Sequence, residues 1–210
     1  MTPASGSPPV VFVVDDDPSV RTALKRLLAS AGLDCETFDD GLAFLRRAEQ
    51  DLTGCVLLDV RMPRLSGLDL QQMLRAAGVD LPIIFVTGYA DVPLTVRAMK
   101  AGAMEVLTKP VEADVLLDAV RHALDGERAR RMQREELRQW RERFGTLTRR
   151  EQEVMALVVT GMLNKQVADA LGTAEKTIKA HRGQAMHKMG ARSLAELVRM
   201  ADRLGLNSRT

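Results

Sequence analysis

Polar residues interrupt this 210-residue chain where chemistry is possible. Asp15, Asp16 and Asp17 follow the run VVFVV, Asp59 follows CVLL, Thr87 follows PIIFV, and Lys109 follows MEVLT. If those apolar runs are parallel strands, every one of these residues lies at a C-terminal strand end, the edge where open α/β sheets form their ligand crevice. Carboxylates gathered there repel one another unless a cation is bound, and hard oxygen donors with room for water suit Mg2+. Such a site supplies an oxygen nucleophile in Asp59. It also supplies a hydroxyl (Thr87) and an ammonium (Lys109) for the oxygens of a phosphoryl group. Each residue alone has a plainer role: an Asp caps a helix, a Lys-Pro makes a turn, a Thr fills a strand. Their occurrence together, in this order, favours the chemical reading.

The elements that must position these residues follow from the hydrophobic pattern. VVFVV, CETF, CVLLDV, PIIFVT and MEVLT alternate with stretches of helical spacing such as Val20, Leu24, Leu27, Leu28 and Ala31. This predicts five βα units over residues 10–125, a parallel, doubly wound α/β domain with both sheet faces covered. Residues 1–9 are expected to be a disordered N-terminus. Residues 126–145, rich in helix formers, predict a helical linker. Leu124, Leu137, Trp140 and Phe144 leave open whether it is a solvated charged helix or a seam between two protomers.

Residues 146–210 then read as an all-α domain of four helices. Thr148 and Glu151 form a capping-box signature, with Val154, Leu157 and Val158 facing inward up to a stop at Gly161. A short helix over Asn164 to Leu171 ends at Gly172, Thr173 is expected to cap a longer helix through Met189, and Ser193 caps the last. Two helices joined by LGTA, with one before and one behind, outline a helix-turn-helix.

Composition bounds the function classes. Hydrophobic residues make up 46% and charged residues 28%, ordinary values, but aromatics at 3% leave the cores to Leu, Val, Ala, Ile and Met. The net charge of +2 hides a split: residues 1–126 carry 12 basic and 18 acidic side chains, and residues 146–210 carry 11 basic and 6 acidic. Only the C-terminal part is suited to a polyanion. Cys35 and Cys55 lie in apolar runs without CxxC spacing, so buried reduced thiols are expected rather than a disulfide framework or a zinc site. The N-terminus lacks the pattern of a signal peptide and no apolar run approaches membrane-spanning length, so a cytoplasmic protein without a membrane partner is expected.

The segments VVDDDP, VLLDVRMPRLSG, IIFVTGYA and VLTKP resemble the signature segments of the response-regulator receiver domain, over residues 10–125. The resemblance implies a flavodoxin-like strand order 2-1-3-4-5 and Asp59 as phosphoacceptor. Mg2+ would be held directly by Asp16 and Asp59, through water by Asp15, and by the main-chain carbonyl of Arg61. Thr87 and Lys109 would contact the phosphoryl group, and Lys109-Pro110 would be a cis peptide. The chain departs from the pattern at Val106, where many receivers carry an aromatic switch residue, and at Val111. Tyr89 is a candidate to compensate in part.

Residues 146–200 resemble the LuxR-type helix-turn-helix of the NarL/FixJ family, and the linker and VRAMKAGA segment are similar to its FixJ-like members. On a helical wheel Ile178, Ala185 and Met189 share a core face with His181 at its edge, while Lys176, Lys179, Ala180, Gly183 and His187 point away. By the resemblance Lys179, Ala180 and Gly183 stand at base-reading positions; some relatives carry a basic residue where this chain has Gly183. Lys179 suits guanine and Ala180 a thymine methyl, and Lys165, Lys176, Thr177 and Arg182 suit phosphates. The partners implied are a sensor histidine kinase, promoter DNA, RNA polymerase and a second copy of the chain, joined on phosphorylation. The resulting expectation is a transcriptional regulator that is not an enzyme beyond its own phosphotransfer and dephosphorylation. Two other readings stand beside it: a DNA-binding regulator that works without phosphorylation, and an aspartyl-phosphate phosphohydrolase. The second fits less well, because such enzymes place the nucleophile after the first strand, whereas Asp59 follows the third.

Overall fold

The computed structural model describes residues 8–206 apart from 49, 51, 89 and 90. The expectations for the first seven residues and for Tyr89 therefore lie outside the described residues. The chain divides into two compact units, Met1–Arg130 and Arg131–Thr210.

In the first unit five strands, β1 (Val10–Val14), β2 (Asp34–Phe38), β3 (Gly54–Leu58), β4 (Ile83–Thr87) and β5 (Glu105–Thr108), form one parallel sheet in the order β2-β1-β3-β4-β5. Helices α1 (Pro18–Ser30), α2 (Gly41–Arg47), α3 (Gly67–Ala76), α4 (Val92–Lys100) and α5 (Ala113–Gly145) make the connections and cover the sheet. The runs are apolar without alternation because both sheet faces are buried. Phe12, Val14, Val56, Leu58, Ile83 and Phe85 face one core with Phe44, Leu70, Leu74 and Ala98. Val11, Val13, Cys55, Leu57, Ile84, Val86 and Leu107 face another with Leu28, Leu116, Ala119, Val120 and Ala123. Each buried Leu, Val or Phe contributes about 1.5–3 kcal/mol, so these two layers fix the sheet edge that carries the polar residues.

Cys35 and Cys55 both pair with Val11 from opposite sides, which separates them by two strand spacings, about 10 Å and beyond disulfide reach. Both are free thiols, and burial pushes Cys35 up to about 11 and Cys55 up to about 12.

The second unit contains the last turns of α5 with α6 (Arg149–Val158), α7 (Asn164–Leu171), α8 (Glu175–Met189) and α9 (Leu194–Arg203). The helix predicted over 126–145 is thus a continuation of the helix that starts at Ala113. In the second unit its Trp140 and Phe144 pack on the core of Leu147, Met155, Ala185, Met189, Leu197 and Met200. Arg143 Nη1 donates to the carbonyl of Met189 (3.0 Å), a cation on the C-terminal end of α8. A second cluster joins Val154, Val158, Val167, Ala168 and Ile178, tying α6 and α7 to α8.

The turn between α7 and α8 uses Gly172 in a left-handed conformation (φ 61°), as the sequence anticipates. Thr173 does not cap α8; its amide bonds back to the Ala168 carbonyl (3.0 Å) and closes α7, so α8 starts at Glu175 with Ala174 at its N-cap. Ser193 caps α9 by accepting from the Glu196 amide.

The capping box of α6 forms and gains a third partner. Glu151 Oε2 accepts from the Thr148 amide (2.8 Å) and from Lys188 Nζ on α8 (2.7 Å), and the Glu151 amide donates to Thr148 Oγ1 (3.3 Å). The Lys188 bond first, then the Thr148 amide, hold the Glu151 carboxyl below its usual value. A carboxyl lowered on folding contributes stability that is complete above its unfolded value and is lost as pH falls through its folded value. Glu151→Gln is therefore expected to lower the melting temperature of the second unit by a few degrees at neutral pH. That difference should close as the pH is brought down through the depressed carboxyl value, in thermal scans of both full-length chains from pH 7 to pH 3. A pH-independent difference would show that the ion pair does not carry the effect.

Candidate functional site

The strand ends of the first unit bring together Asp15, Asp59 and Lys109. Asp15 follows β1 with its amide bonded to Phe38 of β2 (3.1 Å), and Asp59 follows β3 with its amide bonded to Val14 of β1 (2.9 Å). Adjacent strands in register thus hold two carboxylates side by side. Both residues are buried, at 2% and 7% exposure, which demands a partner for each charge. Lys109 supplies it: Nζ donates to Asp15 Oδ2 (2.6 Å) and to Asp59 Oδ1 (3.1 Å). The Lys109 amide bonds to the Thr87 carbonyl (2.8 Å), and a cis peptide follows at Lys109-Pro110.

The remaining oxygens are also engaged. Asp15 Oδ1 accepts from the Asp17 amide (2.9 Å), and Asp59 Oδ2 accepts from the Arg61 amide (2.7 Å). Burial, the largest influence, raises the Asp59 carboxyl above its ordinary value against the pull of Lys109. Burial also works against the charge on Lys109, but its hydrogen bonds to Asp15 and Asp59 outweigh this and raise its value. The arrangement holds one ammonium against the carboxyls of both Asp15 and Asp59. Thr87 is 1% exposed at the end of β4, while Asp16 is exposed beside Asp15 and Asp17 serves as the N-cap of α1. Val106 is half-buried and packs against the core of the α3 and α4 side.

Among the described residues no group of three His, Cys, Asp or Glu side chains is gathered as a metal cage. The donor set nevertheless fits a hard divalent ion: two buried carboxylates already hold a cation between them, and a third carboxylate, Asp16, is exposed next in sequence.

Two positions outside the predicted set shape the loop that follows Asp59. Gly67 opens α3 with its amide on the Val60 carbonyl (2.9 Å), and a Cβ there would stand 2.2 Å from the Asp59 carbonyl oxygen and 3.1 Å from Phe85. The Ser-Gly pair before an amphipathic run was the available signal. Arg64 is the one non-glycine residue with positive φ (68°) among the described residues, at the centre of a three-residue turn closed by the Leu65 amide on Pro63 (2.8 Å). Its guanidinium pairs with Asp40, the N-cap of α2. Nothing in the residue type of an arginine announces that backbone.

On α8 the wheel holds. Ile178, Ala185 and Met189 are buried, His181 is half-buried, and Lys176, Thr177, Lys179, Ala180, Gly183 and His187 are exposed. Lys165 on α7 is exposed as well. Arg182 is set differently: half-buried, it donates from Nη1 to Asn164 Oδ1 (3.1 Å) and so ties α8 to the first turn of α7. Asn164 was not among the predicted site residues. The residues that the sequence singles out thus fall into two groups, one in each unit.

Residues 11–121 match the model of the response regulator receiver domain, and residues 145–201 match that of the bacterial regulatory proteins of the luxR family. The chain is 48% identical to Nodulation protein W of Bradyrhizobium diazoefficiens, over 95% of this chain and 88% of that protein. It is 42% identical to Response regulator protein TodT of Pseudomonas putida, over 93% and 86%. Among solved structures it is similar to the response regulator StyR, with a TM-score of 0.83 and 49% identity over 94% of this chain and 100% of that one.

Replacing Gly67 by Ala is expected to destabilise the first unit by about 1–3 kcal/mol, because the new methyl meets backbone that cannot turn aside. Urea unfolding of the variant measures this, and an unchanged midpoint would refute the close approach.

Proposed function

This chain belongs to the NarL/FixJ family of response regulators, a receiver followed by a LuxR-type DNA-binding domain, and on that premise we propose that Asp59 is its phosphoacceptor. The chain is a transcriptional response regulator. The observation that carries the assignment to Asp59 is its burial against Lys109 at a strand end, with Asp15 as the second partner of the same ammonium. In this reading residues 10–125 accept the phosphoryl group, 126–145 link, and 146–210 bind promoter DNA.

A carboxylate oxygen of Asp59 attacks the phosphorus of a sensor histidine kinase's phosphohistidine. The P–N bond breaks, its electron pair and a proton go to the imidazole, and an acyl phosphate remains on Asp59. Asp15, Asp16, Asp59 and the Arg61 carbonyl are the residues that would hold Mg2+, which when bound neutralises the phosphoryl oxygens. Lys109 exchanges its bond to the Asp59 carboxylate for one to a phosphoryl oxygen, and the Thr87 hydroxyl donates to another. The chain turns over no other substrate; its chemistry is its own phosphotransfer and dephosphorylation.

The added charge of about −1.5 to −2 reorganises the loops that carry Thr87 and Lys109 and favours a homodimer. Val92, Val96 and Met99 leave α4 with exposed apolar side chains that support such pairing. Two copies of α8 then meet two half-sites in the cytoplasm, with Lys179, Ala180 and Gly183 at the bases. Lys165, Lys176, Thr177 and Arg182 hold phosphates, and the bound dimer acts on RNA polymerase. Among the described residues no helix is long and apolar enough to cross a membrane.

With acetyl phosphate and Mg2+, the wild-type chain is expected to sediment as a dimer and to bind promoter DNA roughly 100-fold more tightly, whereas Asp59→Asn should do neither. Equal DNA binding by both proteins under all conditions would remove Asp59 as the control point and favour the phosphorylation-independent reading.

A further inference from the structure

Gly183 lies in the middle of α8, a 15-residue helix, and its backbone φ is not in the left-handed region. A Cβ built there meets nothing within 4 Å. Neither conformation nor packing inside the protein therefore asks for glycine, which in a helix interior costs about 0.5–1 kcal/mol relative to Ala. One physical reason for omitting a side chain on an exposed helix face is close approach by something outside the chain. Beside Gly183 stands Gln184, exposed and with no side-chain hydrogen bond among the described residues. It lies one helical turn beyond Ala180, on the edge of the face that carries Lys176 and Lys179, whereas the next side chain on the opposite flank, Arg182, is tied to Asn164.

A glutamine side chain presents a donor and an acceptor in one plane, the pattern that matches N6 and N7 of adenine in the major groove. We propose that Gln184 reads an adenine in each half-site and that position 183 lacks a side chain so that α8 can seat closely enough for it to reach. This deepens, and rests on, the assignment of α8 as the groove-entering helix. Lys179 and Ala180 read the bases met by the first two turns, and Gln184 extends the readout by one further turn in place of the basic side chain that Gly183 does not provide.

The experiment selects binding sites from a random-sequence duplex library with the phosphorylated full-length chain, then measures affinity for the selected site and for unrelated duplex. The variants are Gln184→Ala, Gly183→Ala and Lys179→Ala. Gln184→Ala is expected to lose the adenine preference at one position per half-site, weakening that site roughly 10- to 100-fold, with binding to unrelated duplex unchanged. Gly183→Ala is expected to melt at a higher temperature and yet bind the selected site more weakly, opposite directions that a merely structural glycine would not give. If Gln184→Ala selects the same sequence at the same affinity while Lys179→Ala loses the site, the proposal falls and the groove assignment of α8 stands. If all three variants select as the wild type does, both fall. A Gly183→Ala chain that gains stability and binds undiminished overturns the clearance role.

Discussion

Two buried carboxylates on neighbouring strands cannot both stay ionised without a cation, and in this molecule Lys109 is that cation. The sheet register puts Asp15 and Asp59 side by side, the two cores hold the strands there, and the Lys109 amide is fixed to the end of β4 through Thr87. Removing one partner of such a set leaves uncompensated buried charge, which costs far more than the pair itself stabilises. The site is thus stable only while its charges balance. A change in the charge of any one of the three must therefore be met by the other two.

The second unit obeys a different constraint. Its helices are short, and single faces of α6 serve two clusters at once, with Met155 and Val159 in one and Val154 and Val158 in the other. The last turns of α5 are part of this packing, through Trp140, Phe144 and the Arg143 contact with the end of α8. The helix that presents the exposed lysines is therefore braced at its N-terminal half by α7, at its C-terminal end by α5, and along its length by α6, through Ile178 in one cluster and Ala185 and Met189 in the other. Fixed orientation of that face is what base readout requires, since hydrogen bonds to base edges tolerate little displacement.

Much of this could be read from the residues. The strands were legible because burial on both faces removes alternation, and the polar residues at their ends were legible because nothing apolar competes for that edge. The wheel of α8 was legible because Ile178, Ala185 and Met189 leave one consistent buried face. What escaped depends on pairs distant in sequence or on backbone angles. Lys109 reads as a phosphoryl ligand, but its simultaneous grip on Asp15 and Asp59 requires three strand ends in register. Arg64 in a left-handed turn contradicts the preference of its residue type, and only its pairing with Asp40, 24 residues away, explains where its side chain goes. Thr173 looked like a helix cap because its type favours that role; the competing bond to Ala168 uses its backbone, which the sequence does not display.

The ion pair between Glu151 and Lys188 has a further consequence for how this chain meets a polyanion. Counterions released from DNA give binding its salt dependence, about 0.9 in logarithmic slope for each phosphate neutralised. Lys165, Lys176 and Lys179 are exposed and carry no ion pair among the described residues, so their charge is available for that exchange. The charge of Lys188 is already neutralised within the fold, and the same acidic residue that starts α6 thereby withholds one cation from the sequence-blind attraction. A domain with fewer free cations holds random DNA less tightly, and a larger share of its discrimination falls to the side chains that touch bases.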